Sequence, residues 1–295
     1  MNILIIGSKG FIGSHCVRHF AMEHDVWECD VVTDYNNDQY FLIDATNASF
    51  DEVFASQAYD VCINCSGAAS VPDSIKNPQR DFMLNVTNVF KQLDAIRKHQ
   101  PRCKYINLSS AAVYGNPKSL PIAENHQLQP ISPYGNHKKM AEEVCKDFYD
   151  NYGIPTCSLR IFSAYGPGLQ KQLFWDLYQK SIKDSTIKLY GTGAESRDFI
   201  YISDLVQAIE LAIEKALFKS DTINVANGKE VTIAQVAETF FTNTPSEFIF
   251  GGEERKGDPS NWVADISQLK TMGYKTKVSL EEGIKNYWQW LKENE

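Results

Sequence analysis

The chain has 295 residues, 43% of them hydrophobic and 22% charged, with 29 Lys+Arg against 37 Asp+Glu and a formal net charge of −8. This is the composition of a globular protein. The negative field excludes a general nucleic-acid role, which needs clustered Lys/Arg on one face, and no apolar run approaches the roughly 18 residues of a membrane span.

The chain starts on the apolar run "NILIIG", with no basic segment or cleavage site before it, so no signal peptide is expected. Short apolar runs then alternate with amphipathic stretches: "NILIIG", "DVWECDV", "DVCINCSG", "KYINLSS" and "TCSLRIF" read as strands. Between them, "SHCVRHFAME" and "DFMLNVTNVFKQLDAIRKH" read as helices. In the second, Phe82, Val86, Val89, Phe90, Leu93 and Ile96 recur at helical spacing and make one apolar stripe. Alternating strands and helices predict an α/β fold: a doubly wound, Rossmann-type parallel sheet over residues 1–162. Residues 163–295 are expected to form mainly a smaller α/β substrate lobe, with 198–223 returning to the first unit. In this second half "TIAQ" (Thr232 to Gln235) and "SLEE" (Ser279 to Glu282) carry the capping-box spacing of helix starts.

The seven cysteines are odd in number and sit mostly inside apolar runs, which reads as reduced thiols in a cytoplasm. Cys62 and Cys65 form a C-x-x-C, but no second Cys/His pair stands at ligand spacing. They are expected to be small hydrophobes of a buried strand, with no metal.

"GSKGFIG" places Gly7, Gly10 and Gly13 directly after a strand and at the start of a helix. Gly7 lets the chain turn, Gly10 lets backbone approach a pyrophosphate, and Gly13 lets helix pack closely on strand. The helix N-terminus offers free N–H groups to the phosphates. Asp30 follows Gly10 by twenty residues, at the end of the next strand, where a carboxylate binds the adenosine ribose hydroxyls. A 2′-phosphate would meet that charge, and no Arg or Lys follows before Lys76. NAD is therefore expected, and NADP is not. "SPYGNHK" puts Tyr134 and Lys138 one turn apart, on one face if the segment is helical.

With "GSKGFIG", "LSSAAVYG" (108–115) and "SPYGNHK" (132–138), the chain resembles the extended short-chain dehydrogenase/reductase family, and within it the NAD-dependent nucleotide-sugar epimerases and dehydratases. The likeness continues through "LRIFSAYGPG" (159–168), "YGTGAESRDFIYISDL" (190–205) and "RKGDPSNWVADISQL" (255–269), and so covers nearly the whole chain. It implies that Tyr134 takes a proton from a sugar hydroxyl, that Lys138 holds the ribose and favours tyrosinate, and that Ser110 hydrogen-bonds the reacting oxygen. It implies cofactor contacts at Gly7, Gly10, Phe11, Ile12, Gly13, Asp30, Asp44, Ala45, Cys65, Ser66, Gly67, Asn85, Tyr134, Lys138 and Phe162. Substrate contacts fall on Ser110, Ser163, Arg197, Arg255 and Asp258, the two arginines binding a diphosphate. Asp44 could instead cap the helix that follows it.

The resemblance also limits the reaction. A 4,6-dehydratase needs an acid–base pair beside the serine, where this chain has Ala111 and Ala112, and a 3,5-epimerase needs a cysteine there. What remains is a 4-epimerase of a nucleotide-diphosphate sugar, with an NAD(P)H-dependent 4-keto reductase as the alternative. A dinucleotide sensor would not need Ser110, Tyr134 and Lys138 together. Two departures stand out: Ser163 replaces the family's usual Asn, and "GLQKQLFWDLYQKS" lacks the usual Pro-containing pattern. The family commonly forms homodimers by pairing the Asn85 and Tyr134 helices, and a homodimer is the expectation.

Overall fold

Residues of successive strands alternate between the two faces of one sheet, and each face is covered by helices. The computed structural model describes residues 1–242, 244–253 and 259–294. In chain order the first unit runs β1 (Asn2–Ile6), α1 (Phe11–Phe20), β2 (Asp25–Asp30), β3 (Tyr40–Leu42), α2 (Asp51–Ser56), β4 (Val61–Asn64), α3 (Val71–Lys76) and α4 (Pro78–Phe82). A π-helical turn (Met83–Thr87) leads into α5 (Asn88–His99), followed by β5 (Lys104–Ser110), a 3₁₀ turn (Ala111–Val113), α6 (Pro133–Tyr152) and β6 (Thr156–Ile161). Then come β7 (Ser163–Tyr165), α7 (Gln172–Ser181), β8 (Thr186–Leu189), β9 (Ser196–Arg197), β10 (Phe199–Tyr201), α8 (Ile202–Lys215) and β11 (Lys219–Val225). The chain closes with β12 (Val231–Thr232), α9 (Ile233–Phe241), β13 (Glu247–Phe250), α10 (Ser267–Thr271) and α11 (Leu280–Glu293).

The main sheet has seven strands in the order β3-β2-β1-β4-β5-β6-β11, all neighbours parallel. This is a Rossmann-type sheet, and its strand order reverses between β1 and β4. The crevice at their carboxyl ends is where such folds place ligands, and here it holds the glycine turn and the Cys65–Gly67 segment. Along β1, Ile3 and Ile5 join the core on one face with Leu159, Leu205 and Ile209, while Leu4 and Ile6 join the core on the other with Phe54, Leu93 and Phe148. Cys62 belongs to the second core and Cys65 packs against the first, so the C-x-x-C spans the sheet. All seven cysteines are free.

The strand β11 extends the sheet beside β6, and α8 lies against α1. The remaining strands pair two by two: β7 with β10, β9 with β12, and β8 with β13. Helix α9 begins on a full capping box, Thr232 and Gln235 satisfying each other's backbone N–H. At Ser279 the hydroxyl accepts from the Glu282 N–H. Among the described residues, no helix is long and apolar enough to cross a membrane.

The expected stripe on residues 82–96 divides. Val86, Val89, Leu93 and Ile96 are buried, whereas Phe82 is 40% and Phe90 50% exposed. Phe82 precedes the π-helical turn, whose extra residue rotates the helix face after it, whereas Phe90 lies on regular α5 about 100° round from the buried row Val89, Leu93 and Ile96.

Candidate active site

Ser110 ends β5, Tyr134 and Lys138 stand on the first turns of α6, and Asn85 comes from the π-helical turn. Helix α6 starts where it does because Ser132 accepts from the Gly135 N–H at 3.1 Å and Pro133 takes the first helical position. Gly135 is required by packing: a β-carbon there would lie 2.5 Å from the Ala112 carbonyl oxygen. The helix therefore presses directly on the 3₁₀ turn that follows Ser110.

The polar groups converge. Tyr134 shares a side-chain hydrogen bond with Ser110, and the Ser110 hydroxyl accepts from the Ala112 N–H at 3.2 Å. Burial pushes the Tyr134 phenol up to about 12; the Ser110 hydrogen bond pulls it back and the Asp81 charge pushes it further. Lys138 is buried and its ammonium donates to the Leu108 carbonyl at 2.8 Å. Burial lowers this lysine to about 8, against the pull of Asp81 and Glu142. At neutral pH the ligand-free site thus holds a phenol and an ammonium one turn apart.

Sequence reasoning missed two side-chain pairs behind this face, Asp81–His137 and Arg160–Glu142. Asp81 is buried, its Oδ2 lies 2.6 Å from His137 Nδ1, and its Oδ1 has no hydrogen-bond partner. His137 lies inside the quoted motif, but no spacing signals a partner 56 residues earlier in the chain. Below it, the buried pair Arg160–Glu142 (2.7 Å) links α6 to β6. Ser109 donates to Glu142 at 2.6 Å, and Arg160 donates to the Tyr114 hydroxyl at 2.9 Å.

The cofactor-side positions meet at the sheet's switch point. Gly7 adopts φ +82, and a β-carbon on it would lie 2.7 Å from the Ser66 nitrogen. A β-carbon on Gly13 would fall 2.0 Å from the Gly7 carbonyl oxygen, so this glycine is what lets α1 pack on the turn. Gly10 is the N-cap of α1 and supplies no side-chain cap. The following residues, Phe11 and Ile12, open the helix there, leaving its first N–H groups for a ligand. Ser66 donates to Asn64 Oδ1 at 2.5 Å, and Gly67 sits at φ +118 with Asn85 beside it. Both amide atoms of Asn85 are buried without a partner. An orphaned amide, a pair of glycines whose β-carbons would clash, and an uncapped helix start are the features a dinucleotide needs.

At the far end of this crevice Asp30 ends β2 and accepts from the backbone N–H of Lys9 (2.8 Å) and of Val31 (2.6 Å). Counting basic residues only downstream of Asp30 leaves out Lys9, which stands inside the glycine turn. Asp44 and Ala45 are exposed, and Asp44 Oδ1 accepts from the Thr46 N–H and hydroxyl, both at 2.6 Å. It holds a turn well before α2 and does not cap that helix.

On the substrate side, Phe162 is buried against Tyr114 and Trp262, and Ser163 N–H donates to the Asp198 carbonyl at 3.0 Å. Arg197 lies over the Trp262 ring, 5.6 Å to its centroid, and donates to the carbonyls of Ser196 (2.8 Å) and Ser260 (3.2 Å). Trp262 Nε1–H in turn donates to Gly115 O at 2.9 Å, tying Arg197 to the segment after Ser110. Arg255 and Asp258 lie outside the described residues.

A parallel sheet with a glycine turn at its switch point and Ser110, Tyr134 and Lys138 beside it defines the extended short-chain dehydrogenase/reductase class. A family model for the NAD dependent epimerase/dehydratase family matches residues 3–226. The chain belongs to that family, as an epimerase with NAD as its cofactor. A relative in Methanocaldococcus jannaschii, provisionally named a UDP-glucose 4-epimerase, is 30% identical over 308 residues, covering 99% of each chain. The solved UDP-N-acetylglucosamine 4-epimerase of Methanobrevibacter ruminantium, in complex with UDP-N-acetylmuramic acid, has a TM-score of 0.88 at 27% identity, covering 100% of this chain and 99% of its own. The UDP-glucuronic acid 4-epimerase of Bacillus cereus, solved with UDP-glucuronic acid and NAD, has a TM-score of 0.89 at 26% identity and full coverage of both chains.

Proposed function

We propose that the protein is an NAD-dependent 4-epimerase of a nucleotide-diphosphate sugar. The observation that carries this reading is the pairing of Ser110, Tyr134 and Lys138 with a neighbouring pair, Ala111 and Ala112, that cannot move a proton. Ala111 is fully buried and Ala112 is 8% exposed, and neither methyl side chain can give or take a proton. The site is equipped for hydride loss and return with one proton, and for nothing further.

In this reading NAD, held by the glycine turn, Gly67 and Asn85, would supply the acceptor and donor of the hydride exchanged with the sugar C4 carbon. The chain does the rest. Tyr134 accepts the C4 hydroxyl proton and later returns it, while Ser110 holds the same oxygen by a hydrogen bond. The Lys138 ammonium stands one turn away and favours the phenolate, which a lone buried tyrosine near 12 would rarely form. Asn85, Gly67 and the glycine turn hold the dinucleotide, with Asp30 on the adenosine ribose. Arg197 and Arg255 take the substrate's diphosphate and Asp258 its nucleotide ribose, the last two lying outside the described residues. Residues 1–162 with 198–223 supply the dinucleotide half and the remainder mainly supplies the sugar half. The relatives named above act on UDP-sugars, which makes the UDP series the first to test.

The test has two stages. Denaturing the purified protein and identifying the released dinucleotide is expected to give near-stoichiometric NAD. Incubating the native protein with UDP-, TDP-, CDP- and GDP-sugars is then expected to invert C4, seen by NMR, with no net NADH. Tyr134→Phe is expected to lower that turnover by about 10³-fold or more. Net consumption of NADPH with a 4-keto sugar, and no C4 inversion, would replace the epimerase with a reductase.

A further inference from the structure

We infer that Glu28 and Asp34, by holding the Lys9 ammonium, set this enzyme's choice of NAD over NADP. Asp30 is not the only charge at the adenosine end of the crevice. Lys9 sits inside the glycine turn, and its backbone N–H is bonded to Asp30 Oδ2 at 2.8 Å. A basic side chain on the residue whose backbone binds the ribose-binding carboxylate is where a 2′-phosphate would find its countercharge.

In this chain that countercharge is already engaged. Lys9 Nζ lies 2.7 Å from Asp34 Oδ2 and 3.0 Å from Glu28 Oε2, and 4.9 Å above the centre of the Tyr40 ring. The partners are themselves held: Asn37 donates to Glu28 Oε1 at 2.8 Å, Asp34 Oδ1 accepts from the Asn36 N–H at 3.1 Å, and the Tyr40 hydroxyl donates to the Val32 carbonyl. The Lys9 and Asp34 side chains are 28% and 25% exposed and Glu28 only 11%, so solvent screens this cluster less than an open surface pair. The ammonium is thus paired with Glu28 and Asp34, while the Asp30 carboxylate is bound to the backbone of the same residue. Held in this way, the ammonium is not free to meet a dianionic 2′-phosphate, which Asp30 then repels, whereas the ribose hydroxyls of NAD carry no such charge.

The inference rests on NAD occupying the crevice with its adenosine ribose at Asp30. The test is the ratio of NADP to NAD dissociation constants, by fluorescence titration of the full chain, for the wild type and for Asp34→Asn, Glu28→Gln and the double variant. The amide replacements keep size and hydrogen bonding, and a thermal melt of each checks folding. The wild-type ratio is expected to be large, and to fall by about tenfold or more in the double variant as Lys9 is released. Adding Lys9→Ala to the double variant is expected to restore most of the preference. An unchanged ratio in the folded double variant would overturn the inference. A fall that persists without Lys9 would also overturn it, since carboxylate loss would then act alone. A wild type that binds both dinucleotides equally would instead remove the placement of Asp30 on which the inference stands.

Discussion

The Lys138 ammonium donates to the Leu108 backbone carbonyl at 2.8 Å, so a charged side chain from α6 is fastened to the end of β5. The lysine is 6% exposed, and burial brings its ammonium from 10.5 down to about 8. In the unfolded chain the same group stays protonated until about 10.4. Below pH 8 both states carry the charge, and folding bears the full cost of burying it. Between about 8 and 10.5 the unfolded chain binds more protons, so stability rises with pH. Lys138→Met should therefore stabilise the ligand-free protein at pH 7, by on the order of 2 kcal/mol after the lost hydrogen bond. Urea melts at pH 7 and pH 10 check this. A gap between variant and wild type that fails to shrink at pH 10 would sink the idea.

Gly67 and Asn85 make a second tight contact. A β-carbon on Gly67 would lie 2.6 Å from Asn85 Oδ1, at a backbone φ of +118. Gly67→Ala must then either displace the amide or shift the loop after β4, at a strain cost of about 1–3 kcal/mol. NAD affinity should fall about tenfold or more while the fold survives. Calorimetric titration gives the affinity; wild-type binding by the alanine variant would show that the loop simply moves aside.

Arg160 and Glu142 are both buried, 2.7 Å apart, and each has further partners in Tyr114 and Ser109. Removing the arginine leaves a buried carboxylate uncompensated, whereas removing both charges does not. Arg160→Met should cost about 3–5 kcal/mol, and Arg160→Met with Glu142→Gln clearly less. Denaturant melts of the two variants decide it, and equal losses would mean the pair is not coupled.

The homodimer remains a proposal with a defined face. Phe82 and Met83 before α5, Phe90 on it, and Met140 and Tyr152 on α6 are each 40% exposed or more. Single exposed apolar residues are ordinary, but five lie on α6 and on the helical run from α4 to α5 that packs against it, apolar area that water disfavours. Light scattering should give twice the 33.4 kDa chain mass, and Phe90→Glu with Met140→Glu should give the single mass. A wild type that runs as one chain at micromolar concentration would end the proposal.

Much of this protein is written locally. The glycine spacing, the strand–helix alternation, the Asp30 position and the Tyr134–Lys138 turn all depend on neighbours within one or two elements, so periodicity and φ requirements expose them in the sequence. The Thr232–Gln235 box formed as its spacing requires, for the same reason. What the tertiary structure alone decided are pairings between distant elements. Nothing in the order of residues places Asp81 against His137, Arg160 against Glu142, or the Lys9 ammonium between Glu28 and Asp34. Those contacts exist because the parallel sheet and the helices packed on it bring together residues far apart in the chain, and buried charges must then find partners there. The exposed Phe82 teaches the same lesson: a π-helical turn after it re-aimed a stripe that sequence periodicity reads as continuous.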